Sequence, residues 1–307
     1  MAKLKTDPIT SADLVEFLDT SSDFAFEIRV LKLLSSSGYT CEHGGTYTDP
    51  ATKKPRQFDI RATRDFDNFA IRLAVECKNL RANFPVLVSC LPRGEDDSFH
   101  DVTVSVDPDR LSLLPRADEL EIYYRAMEPH AKTIRLRGAD SIYKPGEYVG
   151  KSADQVGRDS TGAIVANDSD VYGKWAQAVS SAEDLTDRAC YAGANNDDPA
   201  CFSFVLPVLV VPDGTLWQTC FDNDGNRTLD PQPADRVSYF VDKSYHAGDV
   251  VQGAPYRISH LEIVTMTGLK ALLTEFDDAI DKVFPRETLV DRITAYLASG
   301  QEQDGAI

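Results

Sequence analysis

Two strand-like segments near the start of the chain carry charge on one face only. In a β-strand successive side chains point to opposite faces. In QFDIRAT (57–63) the apolar residues therefore share one face and the polar residues share the other. In FAIRLAVECK (69–78) the apolar face comprises Ile71, Leu73, Val75 and Cys77, and the opposite face comprises Arg72, Ala74, Glu76 and Lys78. If the two segments pair in register, Asp59, Glu76 and Lys78 converge at one place.

Two carboxylates a few ångströms apart repel each other unless a cation lies between them. Hard oxygen ligands of this kind suit Mg²⁺, which keeps several waters and takes further ligands from phosphate. A lysine beside the pair can orient an attacking water and stabilise charge that develops on phosphorus. Asp59, Glu76 and Lys78 are therefore candidates for phosphodiester hydrolysis, with Mg²⁺ as the expected cofactor and Mn²⁺ as a substitute.

A helix upstream of these segments adds a third carboxylate. Ser22 is a capping residue, the stretch to Leu34 has helical apolar periodicity, and Gly38 is a stop signal. Glu27 lies along the edge of the apolar stripe. An unpaired buried carboxylate is unfavourable, so a metal site at the sheet would supply its partner.

This pattern resembles the PD-(D/E)xK phosphodiesterase superfamily, which has the restriction-endonuclease-like fold. It comprises Glu27 on a helix, Asp59 on a strand, sixteen intervening residues, and then Glu76-Cys77-Lys78 at the end of the next apolar strand. The resemblance implies that Asp59 and Glu76 bind Mg²⁺, that Lys78 is the catalytic lysine and that Glu27 is an accessory acid and metal ligand. Phe58 stands where the family name has proline, and the later helix has no clear QxxxY motif.

The charge distribution bears on the expected partner. The chain has a net charge of −17, which argues against non-specific coating of nucleic acid. Residues 51–93 nevertheless hold nine basic and four acidic residues, around the candidate site. We expect a nucleic-acid substrate, DNA in preference to RNA, with a protein partner or homo-oligomer for targeting or regulation, as in a bacterial restriction or anti-phage defence effector. The candidate contacts to the phosphate backbone are Lys53, Lys54, Arg61, Arg72 and Lys151.

The order of predicted elements indicates an α/β fold with a mixed central sheet flanked by helices. Helices are predicted near 12–18, 22–34, 171–192 and 287–298, and an amphipathic helix follows the strand that begins at 259. We interpret residues 1–300 as one restriction-endonuclease-like domain, with the catalytic core at about 22–93 and 166–285. The polar segment 94–165 is interpreted as an insertion with weak strand patterns at 100–106 and 132–138, and 301–307 as a flexible tail.

The remaining composition indicates the compartment. Six cysteines are scattered without a CxxC pair, which favours reduced thiols in a cytoplasmic protein. No apolar run approaches the ~20 residues needed to cross a bilayer, so we expect no membrane association.

Two alternatives stay open from the sequence. Glu76 and Lys78 can form an exposed ion pair on a solvated strand face, which contributes under ~1 kcal/mol. The chain can also be a catalytically silent, nuclease-like scaffold or protein-binding subunit of a larger nucleic-acid-processing complex.

Overall fold

The computed structural model describes residues 7–20, 22–49, 52–66, 69–105, 131–167, 169–195, 202–245, 251–252, 255–289 and 291. Its helices are α1 (Ser11–Thr20), α2 (Phe24–Ser36), α3 (Ser169–Asn195), α4 (Met266–Asp278) and α5 (Ile280–Val283). The predictions of helices near 12–18, 22–34 and 171–192 are confirmed. The helix predicted at 287–298 lies mostly outside the described residues, and the predicted tail at 301–307 lies wholly outside them.

Strands make up most of the remaining described chain. They are β1 (Thr40–His43), β2 (Thr46–Thr48), β3 (Pro55–Gln57), β4 (Ile60–Phe66), β5 (Phe69–Cys77), β6 (Val86–Pro92), β7 (Phe99–Ser105), β8 (Ala131–Arg137), β9 (Tyr148–Arg158), β10 (Ile164–Ala166), β11 (Phe202–Val211), β12 (Leu216–Phe221), β13 (Arg227–Pro233), β14 (Arg236–Tyr245), β15 (Val251–Gln252) and β16 (Tyr256–Thr265).

One large mixed sheet joins nearly all of these strands in the order β1-β4-β5-β11-β16-β14-β9-β6-β12-β13. Strands β5, β11 and β16 are mutually parallel, whereas β4 pairs antiparallel with β5 and with β1. Strand β7 extends from β11 and carries β8, and β2 and β3 form a separate small ribbon. The prediction of an α/β fold with a mixed central sheet flanked by helices is confirmed.

The central strands are buried on both faces. Every residue of β5 and of β11 is buried, as the continuous apolar runs of parallel strands require. On one face, Leu73 and Val75 pack with residues of α2 and α4 in the main core. On the other face, Ala74 packs under Val179 and Ala182 of α3. Helix α3 therefore covers the face of β5 that carries its charged residues.

The described parts of the segment 94–165, residues 94–105 and 131–165, contribute strands to the sheet. The weak strand patterns at 100–106 and 132–138 correspond to β7 and β8. Strand β9 lies between β14 and β6 and pairs with both. This segment, predicted as an insertion on the core, therefore supplies a strand within the main sheet. Among the described residues, no helix combines the length and apolar character of a membrane span.

Gly268, in the first turn of α4, packs directly against the chain at Asp235. A Cβ at position 268 would lie 1.8 Å from the Asp235 carbonyl oxygen, and the Gly268 amide donates to the capping Thr265 Oγ1 at 3.1 Å. Gly268→Ala is therefore expected to lower the free energy of unfolding by about 2 kcal/mol, as measured by urea denaturation. Gly173→Ala is the control, because no atom lies within 4 Å of its added Cβ; a helix-interior alanine there should leave stability equal or raise it by up to about 1 kcal/mol. Equal effects of the two substitutions would contradict the packing assigned to Gly268.

Candidate functional site

The β4–β5 hairpin brings the two predicted carboxylates together. Ile60 pairs with Val75 in the antiparallel register, which sets Asp59 beside Glu76. The Asp59 amide donates to Glu76 Oε1 at 3.3 Å, and the Cys77 amide donates to Asp59 Oδ2 at 2.8 Å. The convergence of Asp59 and Glu76 that the strand pattern predicts is thus present in the fold.

A lysine from a distant part of the chain completes this carboxylate pair. Lys174 Nζ, near the start of α3, donates to Asp59 Oδ2 at 2.7 Å and to Glu76 Oε2 at 3.2 Å. The Glu76 side chain is fully buried, and the Asp59 and Lys174 side chains are 12% and 20% exposed. One cation therefore bridges two carboxylates in a largely buried place.

The burial perturbs the protonation of the cluster. Desolvation, together with the nearby Asp59 carboxylate, raises the pKa of Glu76 to about 9. The carboxylates of Glu76 and Asp59 outweigh desolvation at Lys174 and raise the pKa of its ammonium. At neutral pH and without a bound metal ion, Lys174 is therefore charged and Glu76 is mostly protonated.

The raised pKa of Glu76 gives stability a predicted pH dependence. An unperturbed glutamate titrates near 4.5, so between about 4.5 and about 9 the folded state binds the Glu76 proton more tightly than the unfolded chain does, and its contribution to stability falls as pH rises. Glu76→Gln removes this titration. In buffer with EDTA, its stability relative to wild type should therefore rise from pH 5 to pH 8.5 by at least about 1.4 kcal/mol, the equivalent of one pKa unit. Urea denaturation at the two pH values measures this difference, and an unchanged difference would contradict the assigned burial.

Glu27 lies at the same site on helix α2. Its Oε2 is 3.4 Å from His43 Nε2 of β1, and its side chain is 16% exposed. Desolvation and the Asp59 carboxylate raise the pKa of Glu27, although the contact with His43 acts in the opposite direction. Glu27 and His43 thus form a half-buried acid–base pair next to the carboxylate cluster. The sequence pattern identifies Glu27 but gives no signal for His43.

Lys78 has a different partner from the one predicted. Its Nζ is 3.4 Å from Asp23 Oδ2, at the start of α2, and the neighbouring Asn79 amide donates to Asp23 Oδ1 at 2.7 Å. The side chain of Lys174, not that of Lys78, contacts Asp59 and Glu76. Cys77 is the last residue of β5, so Lys78 is already outside the strand alternation from which its direction was predicted. The alternative of a solvated Glu76–Lys78 ion pair is wrong, because Glu76 is fully buried.

Two of the basic residues predicted to contact nucleic acid are buried. Arg61 Nη1 forms an ion pair with Asp184 Oδ2 of α3 at 2.7 Å, and its side chain is 2% exposed. Arg72 Nε donates to Ser203 Oγ at 3.3 Å on the neighbouring strand β11. Both predictions are wrong for the same physical reason. The charged strand face from which Arg61 and Arg72 project is covered by other parts of the fold and is not open to solvent.

The other three predicted contact residues lie near or at the surface. Lys53 and Lys54 are exposed in the turn before β3, with Lys53 at a positive φ of 56°. Lys151 Nζ pairs with Asp97 at 2.6 Å and lies 4.2 Å from the Phe240 ring centroid. Lys53 and Lys54 remain available to a polyanion, whereas Lys151 already has an anionic partner.

The donor set fits a divalent cation held by two carboxylates. Asp59 Oδ2 and Glu76 Oε2 already lie within 3.2 Å of one cationic atom, Lys174 Nζ. Among the described residues, no cluster of three or more His, Cys, Asp or Glu side chains is placed to hold a metal. Two carboxylates are enough for Mg²⁺, which usually keeps several waters and takes its remaining ligands from substrate phosphate. Asp59 and Glu76 would hold such an ion, and the Lys174 ammonium would have to give up at least one of its contacts with these carboxylates.

Comparison with known proteins adds no assignment. No protein-family model matches the chain, and neither the curated proteins nor the solved structures include a significant match.

Proposed function

We propose that this protein is a metal-dependent nuclease of the PD-(D/E)xK kind, acting most readily on DNA. The observation that carries the proposal is the convergence of Asp59 and Glu76 on a single cation, Lys174 Nζ, at 2.7 and 3.2 Å. Paired carboxylates at the end of adjacent strands provide the ligands for Mg²⁺, and Mn²⁺ fits the same oxygen donors.

The order of elements supports a restriction-endonuclease-like core. Helix α2 is followed by the antiparallel strands β1, β4 and β5, and later by helix α3 and strand β11. Strand β11 pairs in parallel with β5 along most of its length. This order is compatible with the helix, three-stranded unit, helix and further strand that the sequence resemblance implies, and it supports the proposal. The extra strands β6–β10 and β12–β16 extend the sheet beyond that core.

Each residue of the site then has a distinct role. Bound to Asp59 and Glu76, Mg²⁺ would supply positive charge to the scissile phosphate and lower the pKa of a water molecule. Lys174 presents its ammonium beside both carboxylates and stabilises negative charge on the phosphate oxygens. Glu27, whose pKa is raised by burial, is assigned to accept a proton from water, and His43 Nε2 contacts its carboxylate at 3.4 Å. Lys78 is held by Asp23 at the edge of the site and is assigned to substrate contact.

A cleavage assay tests this function. The purified chain is incubated with linear DNA, circular DNA and RNA, each with Mg²⁺, with Mn²⁺ or with EDTA. Cleavage that needs a divalent ion and disappears in EDTA is expected, with DNA cut faster than RNA. Absence of cleavage under every metal condition would contradict the proposal.

A catalytically silent, nuclease-like scaffold is the second candidate, and the ion pairs of Lys174 favour it. An internal ammonium that bridges both carboxylates neutralises the site without a metal. The two candidates differ in metal binding, because a scaffold of this kind keeps Lys174 in place when Mn²⁺ is added. A nuclease instead exchanges the ammonium contacts for the ion.

A further inference from the structure

A cavity of about 510 Å³ lies where the chain leaves strand β5, just beyond Glu76. Lys78 lines it, and Lys78 follows Glu76 by two residues, a separation of roughly 6–7 Å along an extended chain. The volume lies within the range of small-ligand sites, roughly 300–1,000 Å³. A ligand that contacts Lys78 in this cavity is therefore bound by the segment that directly follows the carboxylate pair.

An aromatic ring and an exposed apolar side chain line the cavity. Phe84 packs against the backbone of Gly157 on β9, where an added Cβ would lie 2.5 Å from the Phe84 ring. Val165 on β10 pairs with Gly157 and is 40% exposed. Glycine at position 157 thus leaves room for the Phe84 ring to contact the strand directly. A ring held in this way is a platform on which a planar base can stack.

Gln155 presents a buried acceptor at the same cavity. Its side chain lines the cavity and the residue is 3% exposed. Its Nε2 donates to the Phe84 carbonyl oxygen at 3.1 Å, which fixes the orientation of the amide. Gln155 Oε1 is buried and has no hydrogen-bond partner among the described residues. A buried acceptor without a partner is unfavourable, so a ligand that brings an N–H group here gains a hydrogen bond.

The charge at the cavity favours an anion. Lys78, Arg81 and Arg158 line it, and no acidic side chain is among the described lining residues, in a chain whose net charge is −17. Arg158 Nη1 donates to the Gly162 carbonyl oxygen at 2.8 Å, which holds the guanidinium at the rim. Guanidinium and ammonium groups form strong hydrogen bonds to phosphate.

We propose that this cavity binds a nucleotide whose base carries an amino group. The base stacks on Phe84, its amino group donates to Gln155 Oε1, and the phosphate lies near Arg158 and Lys78. Adenine, cytosine and guanine carry such a group. The only base N–H that thymine and uracil present on their pairing edge is the ring N3–H, which lies between two carbonyl oxygens and cannot reach a recessed acceptor as an exocyclic amino group can. If the ligand is a base of the strand being cut, this proposal rests on the proposed nuclease function. If the ligand is a free mononucleotide, which has the same chemistry, the proposal is independent of that function.

Binding measurements in EDTA test the proposal without cleavage. AMP, CMP, UMP and inorganic phosphate, and eight-residue oligomers of dA, dC and dT, are titrated by calorimetry. Adenine and cytosine ligands should bind roughly 10-fold more tightly than uracil or thymine ligands, and Gln155→Met should remove this preference.

Two further variants test the phosphate contact. Val165→Glu should weaken the binding of all nucleotides at least 10-fold by repelling phosphate, and Arg158→Ala should weaken binding equally for every base. Arg227→Ala, which removes an exposed cation on β13, three strands from β9 in the sheet order, is the matched control and should change nothing.

The outcomes separate the sources of the ligand. Tight binding of AMP and CMP identifies a free nucleotide, whereas binding of the oligomers alone identifies a base within a strand. Val165 and Arg158 are exposed, so their variants report on the cavity even if Gln155→Met fails to fold. Phosphate binding as tightly as the nucleotides, equal binding of all bases, or no effect of Val165→Glu overturns the proposal.

The same experiments distinguish this proposal from the nuclease function. Nucleotide binding with the expected base preference, but without metal-dependent cleavage, would remove the nuclease function alone. Cleavage that requires Glu76 but is indifferent to base identity and to Val165→Glu would remove the cavity proposal alone.

Discussion

Glu76→Gln is expected to reduce Mg²⁺-dependent DNA cleavage by at least about 10²–10³-fold, the effect of losing one charge-stabilising group at a reaction centre. Glutamine keeps the shape of the side chain but removes the negative charge that would hold the ion beside Asp59. The fold should survive, because Glu76 is fully buried and its burial opposes ionisation. Initial rates of supercoiled-plasmid cleavage, with circular dichroism to confirm folding, measure the effect.

The control for this substitution is Glu95→Gln, the same change at an exposed residue in the loop before β7. It should leave cleavage within about two-fold of wild type, since exposed charges of this kind contribute little. Asp59→Asn should reproduce the loss seen with Glu76→Gln. Cleavage by both site variants at near the wild-type rate would show that the reaction takes place elsewhere on the molecule.

Lys174→Met should lower the free energy of unfolding by about 3 kcal/mol at pH 8 in EDTA, because removal of one partner leaves buried charge uncompensated. At pH 6 the loss should be about the same, since Glu76, with its pKa of about 9, holds most of its proton at both pH values and the charge left uncompensated is that of Asp59. Mn²⁺ or Mg²⁺ should restore stability, because an ion that binds only the folded state stabilises it by mass action. The expected rise in the midpoint of thermal unfolding on addition of metal is therefore larger for Lys174→Met than for wild type.

Lys270→Met provides the matched control, since Lys270 is exposed on α4. Its stability should change by less than about 0.5 kcal/mol and should show no added response to metal. If Lys174→Met behaves like Lys270→Met, the ammonium does not compensate the carboxylates, and the cation-sharing arrangement is wrong.

The local part of the site was predictable from the sequence. Strand alternation in two adjacent segments is enough to place Asp59 beside Glu76, because a hairpin with a short connection fixes its own register. Helical periodicity before the hairpin puts Glu27 at the edge of the helix face that packs on the sheet. These relations depend on residues that are close in sequence, and the antiparallel pairing of β4 with β5 realises them.

The remainder depends on contacts between distant segments. Lys174 is 98 residues beyond Glu76, and its position follows only from the packing of α3 across the sheet. The same packing buries Arg61 against Asp184. The strand pattern alone does not show that a helix covers the sheet face from which Arg61 projects. Helix amphipathicity indicates that α3 packs on something, but it does not say on which face. A buried ion pair such as Arg61–Asp184 is therefore indistinguishable in sequence from a solvent-facing phosphate contact.

The acidic composition and the local cations have separate consequences. A net charge of −17 slows the approach of a polyanion, whereas individual cations, such as the exposed Lys53 and Lys54, act at short range. Cleavage should therefore depend on ionic strength less steeply than it does for a broadly basic nuclease. A partner protein that presents DNA would raise the rate without altering the carboxylate pair.

Divalent-ion binding by the carboxylate pair is tested most directly by electron paramagnetic resonance, which counts free Mn²⁺ in the presence of the protein. At pH 8 the wild-type chain should bind one Mn²⁺ at this pair, and affinity should fall toward pH 6 as Glu76 retains its proton. Asp59→Asn and Glu76→Gln should each abolish this binding, while Glu95→Gln should preserve it. Failure of the wild-type chain to bind Mn²⁺, or equal binding by both site variants, would contradict the assignment of Asp59 and Glu76 as the metal ligands.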